Sequence, residues 1–180
     1  MATSPVVPLV DLNAVWSEAL SYDGFVRIAA PEHRGLWEGI GKLHQPSEAT
    51  LTLRLPAGAR LLVIAADWCG DAVNVVPAIQ NWAVKVGMEM RLIDRDTWPQ
   101  VMDHYLTGTA RAIPIVIVLD ADGRELGHWG PRPSELQAWV MAHKDSMPKD
   151  ERYKEVRRWY ARDRGASAIR EVVAAAGKAP

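Results

Sequence analysis

Six consecutive apolar residues, Leu61 to Ala66, run without a polar interruption and stop at Asp67. A run this short and continuous reads as a strand buried on both faces, since a strand with one wet face would alternate. Such a strand needs helices above and below it, and the chain supplies one at once. Val75, Val76, Ile79, Trp82, Ala83 and Val86 fall on one helical face, and Gly87 ends the pattern. Glu89 to Asp94 then reads as a second strand, and the strand–helix–strand unit makes the two parallel.

The pattern continues downstream. Trp98 to Leu106, with Val101, Met102, Tyr105 and Leu106 on one side, reads as a helix, and Pro114 to Leu119 as a strand. Asp120-Ala121-Asp122-Gly123 reads as a hairpin turn, which returns the chain antiparallel through Glu125 to Trp129. Ser134 is placed to cap a helix carrying Leu136, Trp139, Val140 and His143. The order β-α-β-α-β-β-α describes an α/β core: a central mixed sheet flanked by helices.

Residues 57–145 hold this core, within a single domain. Residues 1–56 read as an extension packed on it. Asp11 can cap a helix carrying Leu12, Val15, Trp16 and Leu20, and Pro31 to Leu43 reads as another, with Leu36, Trp37 and Ile40 on one side. Thr50 to Leu55 alternates like a half-exposed strand, but a helix entering from Ser47 fits equally, and both readings stay open. Residues 146–180 form a helical tail in which Tyr153, Val156 and Tyr160 share a face. Gly165 breaks it before Ile169, Val172, Val173 and Ala176.

Charge narrows the partners. Lys and Arg total 21 against 22 Asp and Glu, a formal net charge of −1, so there is no global pull toward nucleic acid or anionic membrane. The first tail helix is locally basic and an RNA-binding arm is one reading of it. Mixed signs at i, i+3 and i+4 fit a solvated face with local ion pairs better. The longest apolar stretch, Ala112 to Leu119, is far below the roughly 20 residues of a membrane span. Met-Ala-Thr-Ser-Pro at the start lacks the basic region and apolar block of a signal peptide, so the expected location is cytoplasmic.

The one cysteine, Cys69, allows no internal disulfide and no Cys-rich zinc site. None of the five histidines has metal-ligand spacing to another His or to Cys69, so no metal and no resident cofactor is expected. A Cys–His hydrolase would need His104 or His128 folded against Cys69. Gly108 and Gly127 are isolated, not a phosphate loop. Most of the eight tryptophans fall on apolar helix or strand positions, which favours packing over base stacking.

Asp67-Trp68-Cys69-Gly70-Asp71-Ala72 joins the buried strand to the next helix. A thiol just before a helix faces free N–H groups and the positive dipole end, which favour its anion. Gly70 leaves room for a second sulfur to approach. Asp67 and Asp71 act in the opposite sense, since nearby negative charge raises a thiol's pKa. The sequence leaves that balance open. Asp71 reads either as a first-turn acid satisfying the helix dipole or as a group that steers substrate or tunes the thiol. Trp68 reads either as a cover packed over the core or as a flat contact surface.

Trp68-Cys69-Gly70 between a strand and a helix resembles the thioredoxin active-site motif. Pro77 stands eight positions after Cys69, Ile113-Pro114 precedes the third strand, and Gly130 follows Pro114 by sixteen. These match the superfamily's helix proline, cis-proline and glycine. More narrowly, Trp-Cys-Gly-Asp-Ala resembles a bacterial thioredoxin-like branch with a single cysteine. Arg111-Ala112-Ile113-Pro114, Gly130-Pro131-Arg132-Pro133 and Trp159-Tyr160-Ala161-Arg162-Asp163 support that likeness.

The resemblance implies a site of Cys69 with Trp68, Gly70, Asp71, Ile113 and Pro114, where Ile113 and Pro114 would pair with an extended peptide. The chain also departs from it. Ala72 stands where thioredoxins have a resolving cysteine, and Val63 where they keep a buried acid. Dithiol exchange needs that second thiol. Two functions therefore stay open. One is a monothiol redox protein, in which Cys69 exchanges with a thiol or disulfide substrate and glutathione serves as co-substrate. That role expects a Cys69 pKa below the roughly 8.5 of a free thiol. The other is an inactive thioredoxin-fold module that binds a peptide or protein. Oligomeric state and the role of the extension are not legible.

Overall fold

The computed structural model describes residues 10–177; the opening Met-Ala-Thr-Ser-Pro, read above for a signal segment, lies outside them. Strands β1 (Leu20–Ser21), β2 (Arg60–Ala65), β3 (Met90–Asp94), β4 (Ile115–Leu119) and β5 (Glu125–Trp129) form one mixed sheet in the order β1-β3-β2-β4-β5. β2 and β3 are parallel, whereas β4 runs antiparallel to both β2 and β5. The continuous apolar runs occupy β2 and β4, two of the three inner strands, and are buried along nearly their whole length. This is the α/β sheet with flanking helices that the sequence pattern implies.

The helices are α1 (Leu12–Glu18), α2 (Tyr22–Ile28), α3 (Pro31–Leu43), α4 (Glu48–Leu51), α5 (Gly70–Lys85), α6 (Pro99–Met102), α7 (Ser134–His143), α8 (Lys149–Asp163) and α9 (Ala166–Ala175). Among the described residues no helix is long and apolar enough to cross a membrane. α5 carries the apolar face read from its spacing, with Val75, Val76, Ile79, Trp82 and Ala83 buried. Pro77 lies inside it.

The extension departs most from expectation. Asp11 caps α1 through Asn13 and Ala14 N–H, but the helix ends before Leu20. Leu20 instead begins β1 and pairs with Leu92 of β3, covering the sheet edge that β3 would otherwise leave bare. Two residues are too few for strand periodicity to register in sequence. α2 also escapes the sequence reading, although Ser21 caps it and Phe25 and Val26 are buried. Around Thr50 the helical alternative holds. The Ser47 hydroxyl accepts from Thr50 N–H, and the Thr50 carbonyl accepts from buried Trp82 Nε1 at 3.0 Å. In α3 the apolar side is narrower than expected: Trp37 is wholly buried, while Leu36 faces outward.

Two further expectations are corrected. The helix read over Trp98 to Leu106 stops at Met102. Arg111 holds the Asp103 carboxylate through two hydrogen bonds, and the Tyr105 hydroxyl reaches Glu125, so tertiary contacts replace the second turn. Ser134 does not cap α7 but is its first residue; its N–H and hydroxyl both donate to Glu171 of α9. The tail thus caps a core helix in trans.

In α8, Val156 and Tyr160 are buried and Tyr153 is exposed. Arg158 pairs with Glu155 on the wet face, in keeping with a solvated helix. The α8–α9 elbow turns through Gly165, with φ +83° and only 2.3 Å between an added Cβ and that of Ala78 in α5. No side chain fits. Gly165→Ala should therefore cost roughly 1–2 kcal/mol for the left-handed backbone. Overpacking against α5 adds a further ~1–3 kcal/mol. Urea unfolding checks this, with a lower midpoint at unchanged slope expected.

Candidate functional site

The site is assembled where β2 ends. Cys69 is the N-cap of α5, and its Sγ accepts a hydrogen bond from Ala72 N–H at 3.5 Å, the contact that a residue at a helix start is placed to make. From the other side the thiol donates to the Ile113 carbonyl at 3.5 Å. Ile113 is buried, Pro114 follows it into β4, and the peptide bond between them is cis, as is Gly130–Pro131. An added Cβ on Gly130, at φ +139°, would stand 2.1 Å from the Pro114 carbonyl oxygen. Only glycine lets the end of β5 approach the start of β4 so closely.

The balance left open by the sequence is decided by burial, which the sequence could not weigh. Cys69 is only 8% exposed. Burial pushes its thiol up from the ordinary range. The Ala72 N–H pulls it down, the Asp71 carboxylate pushes it further up, and the Asp71 N–H and the Arg132 guanidinium help the thiolate without offsetting the rest. The resting group is a neutral S–H that donates to a carbonyl.

Asp71 is not free to meet a substrate. Arg132 grips it through two hydrogen bonds, Nε to Oδ1 at 2.9 Å and Nη2 to Oδ2 at 2.6 Å. The Tyr160 hydroxyl adds a third, to Oδ1 at 2.9 Å. Tyr160 is fully buried. Burial and the Asp71 charge raise its pKa far above the ordinary tyrosine range, so it stays a donor. Arg132 is also partly buried, which works against its charge. The Asp71 hydrogen bonds and charge outweigh this and raise its pKa. One carboxylate thereby joins the start of α5, the turn before α7 and the tail helix α8.

Asp67, two residues before the cysteine, faces the extension. Its Oδ2 accepts from Ala30 N–H at 2.7 Å and lies 3.3 Å from His33 Nδ1, while its carbonyl accepts from Trp37 Nε1 at 2.8 Å. Burial pushes its carboxyl up, but the Ala30 and His33 contacts prevail and hold it below the usual range. Trp68 points outward, half exposed, with the Arg95 guanidinium 4.6 Å above its ring. Beside Gly70 an added Cβ would meet nothing within 4 Å. Trp68 and Gly70 thus form the open part of the site, and Cys69, Ile113 and Pro114 its floor.

Of the two histidines considered as catalytic partners, His128 is engaged elsewhere. The polar contacts of Sγ are to Ala72 and Ile113, whereas His128 Nδ1 lies 2.6 Å from Glu125 on β5. Among the described residues no group of three His, Cys, Asp or Glu is placed to hold a metal ion.

A family model described as thioredoxin matches residues 32–173. The chain belongs to the thioredoxin family. It is similar to a protein of unknown function from Pseudomonas aeruginosa, known from a 1.5 Å crystal structure, at 20% identity and a TM-score of 0.74. It is also similar to an HIV epitope scaffold, at 21% identity and a TM-score of 0.71. Each likeness covers 92% of this chain and 96% of the other, and at this identity it speaks for the fold alone. No curated protein matches the chain.

Within the thioredoxin family the departures now have positions. Ala72, where a resolving cysteine would stand, is fully buried and turns its N–H to Sγ; Val63 is fully buried in β2. Arg132 and Tyr160 were missed as site residues. Their signal lay in the Gly-Pro-Arg-Pro and Trp-Tyr-Ala-Arg-Asp stretches, which carry one partner each for Asp71. Removing the Asp71 charge while keeping an amide acceptor for Arg132 should lower the thiol's pKa. Asp71→Asn is expected to speed alkylation of Cys69 by iodoacetamide at pH 8, by up to roughly tenfold.

Proposed function

We propose that this chain is a thioredoxin-fold binding module: it keeps the family's peptide-facing site and has lost dithiol turnover. It is best placed in the single-cysteine branch with the Trp-Cys-Gly-Asp-Ala motif, because Asp71, Arg132 and Tyr160 come from three of that branch's motifs and make one network. The observation that carries the reading is the state of the thiol. Cys69 is buried, protonated and spent as a donor to the Ile113 carbonyl, so it serves as floor rather than nucleophile. Around it stand the half-exposed Trp68 ring, the open Gly70 and the close Gly130–Pro114 approach. An extended segment of a protein partner is the ligand such a site takes, through main-chain pairing and an aromatic contact.

Panning a displayed library of ten-residue peptides against the full chain tests this. Peptides that enrich should bind Cys69→Ser within about twofold of the wild type. Trp68→Ala and Gly130→Ala should each weaken them by about tenfold or more, as loss of a central contact does. No enrichment, or peptides indifferent to both substitutions, would overturn the proposal.

A second reading, single-thiol exchange with glutathione, is favoured by one contact, the Ala72 N–H on Sγ, and by the space beside Gly70. In it the Cys69 thiolate attacks the glutathione sulfur of a glutathione–substrate mixed disulfide, takes up the glutathione as a mixed disulfide and releases the substrate as a thiolate. A free glutathione thiolate then attacks that mixed disulfide, restores the Cys69 thiolate and leaves as oxidised glutathione. Intact-mass measurement after incubation with oxidised glutathione separates the readings. The binding module predicts no adduct at pH 7.5 within an hour, and rapid, complete addition would favour the exchange.

A further inference from the structure

We propose that a second groove, between the N-terminal extension and the core and lined by Asp67 but not by Cys69, docks a basic segment of a partner protein that carries a large apolar side chain. The cavity measures about 470 Å³ and runs between β1, α2 and the end of β3. Leu20, Phe25, Ile28 and Trp98 supply its apolar wall. Phe25 is buried, but Leu20 is 38% and Ile28 69% exposed, an unusual position for aliphatic side chains that flank a cavity.

The sheet register explains the charge at one end. β2 and β3 run parallel with Ala65 beside Asp94, so Asp67 leaves the sheet next to Asp94. β1 runs antiparallel with Leu20 beside Leu92, which brings the preceding residues, and Glu18, toward the same end of β3. Glu18, Asp67 and Asp94 all line the groove, and no Lys or Arg does. His33 lies 3.3 Å from Asp67, and the Arg34 guanidinium is turned to the Arg27 and Ala29 carbonyls. Apolar wall and acidic end together fit an apolar side chain flanked by Lys or Arg. The groove is open along Ile28 rather than enclosed. A chain lying across it is covered better than a small molecule, which needs most of its surface buried.

The probe is a labelled peptide, Lys-Leu-Phe-Lys-Leu-Lys, with the same peptide carrying Glu for Lys as control, followed by fluorescence anisotropy on the full chain. The basic peptide should bind at least about tenfold more tightly than the acidic one and weaken with added salt. Ile28→Ser should cost about tenfold, given the apolar contact it removes. Glu18→Gln with Asp94→Asn should cost a similar factor and flatten the salt dependence. Asn keeps the Oδ1 acceptor that Asp96 and Thr97 N–H use, so the turn survives. Trp68→Ala should change nothing, which separates this groove from the thiol site whether or not that site binds peptides. Equal binding of both peptides, an unaffected Ile28→Ser, or loss only in Trp68→Ala would overturn the proposal. So would a dimer in sedimentation that Ile28→Ser dissociates, since a second copy would then be the occupant.

Discussion

The Asp71 carboxylate holds the site together. It is a charge at the first turn of α5, side-chain exposure 14%, met by a guanidinium and a phenol from two distant parts of the chain. A partly buried charge of this kind is costly alone and stable only when its oxygens are satisfied. Satisfying them fixes the turn that carries Arg132 and the tail helix that carries Tyr160 against the start of α5. The tail returns the constraint through Glu171, which accepts from Trp129 Nε1 and from Ser134. The helical tail therefore belongs to the site's support.

The thiol's character follows from that arrangement. A helix N-terminus alone would favour the thiolate, and in a wet site it would prevail. Here Cys69 is buried, and the Arg132 guanidinium is engaged by a carboxylate rather than left to the sulfur. With Ala72 in place of a second thiol, no intramolecular step could resolve a mixed disulfide. Burial, pairing of Arg132 and loss of the resolving cysteine all point the same way.

Much of the fold was legible because its strongest signals are local. The buried runs of β2 and β4, the apolar stripe of α5 and the Asp120–Gly123 turn are each written in a few neighbouring residues. What escaped is set by distant partners. β1 is two residues long and exists because Leu20 meets Leu92; α6 stops early because Arg111 takes Asp103; Ser134 is bonded by a carboxylate 37 residues on. The candidate site shows the same division. Cys69 at the helix start and Ile113 beside it could be placed from sequence. The sign of the thiol's shift could not, because it depends on how completely the folded chain buries one sulfur atom.

The site as a whole turns on Cys69 resting as a neutral donor and not as a nucleophile. Titrating its thiolate directly, by absorbance near 240 nm with Cys69→Ser as the blank, tests it most directly. A buried neutral donor should show a midpoint above the roughly 8.5 of a free thiol. A midpoint below about 7.5 would place a thiolate in the site at neutral pH and contradict that resting state.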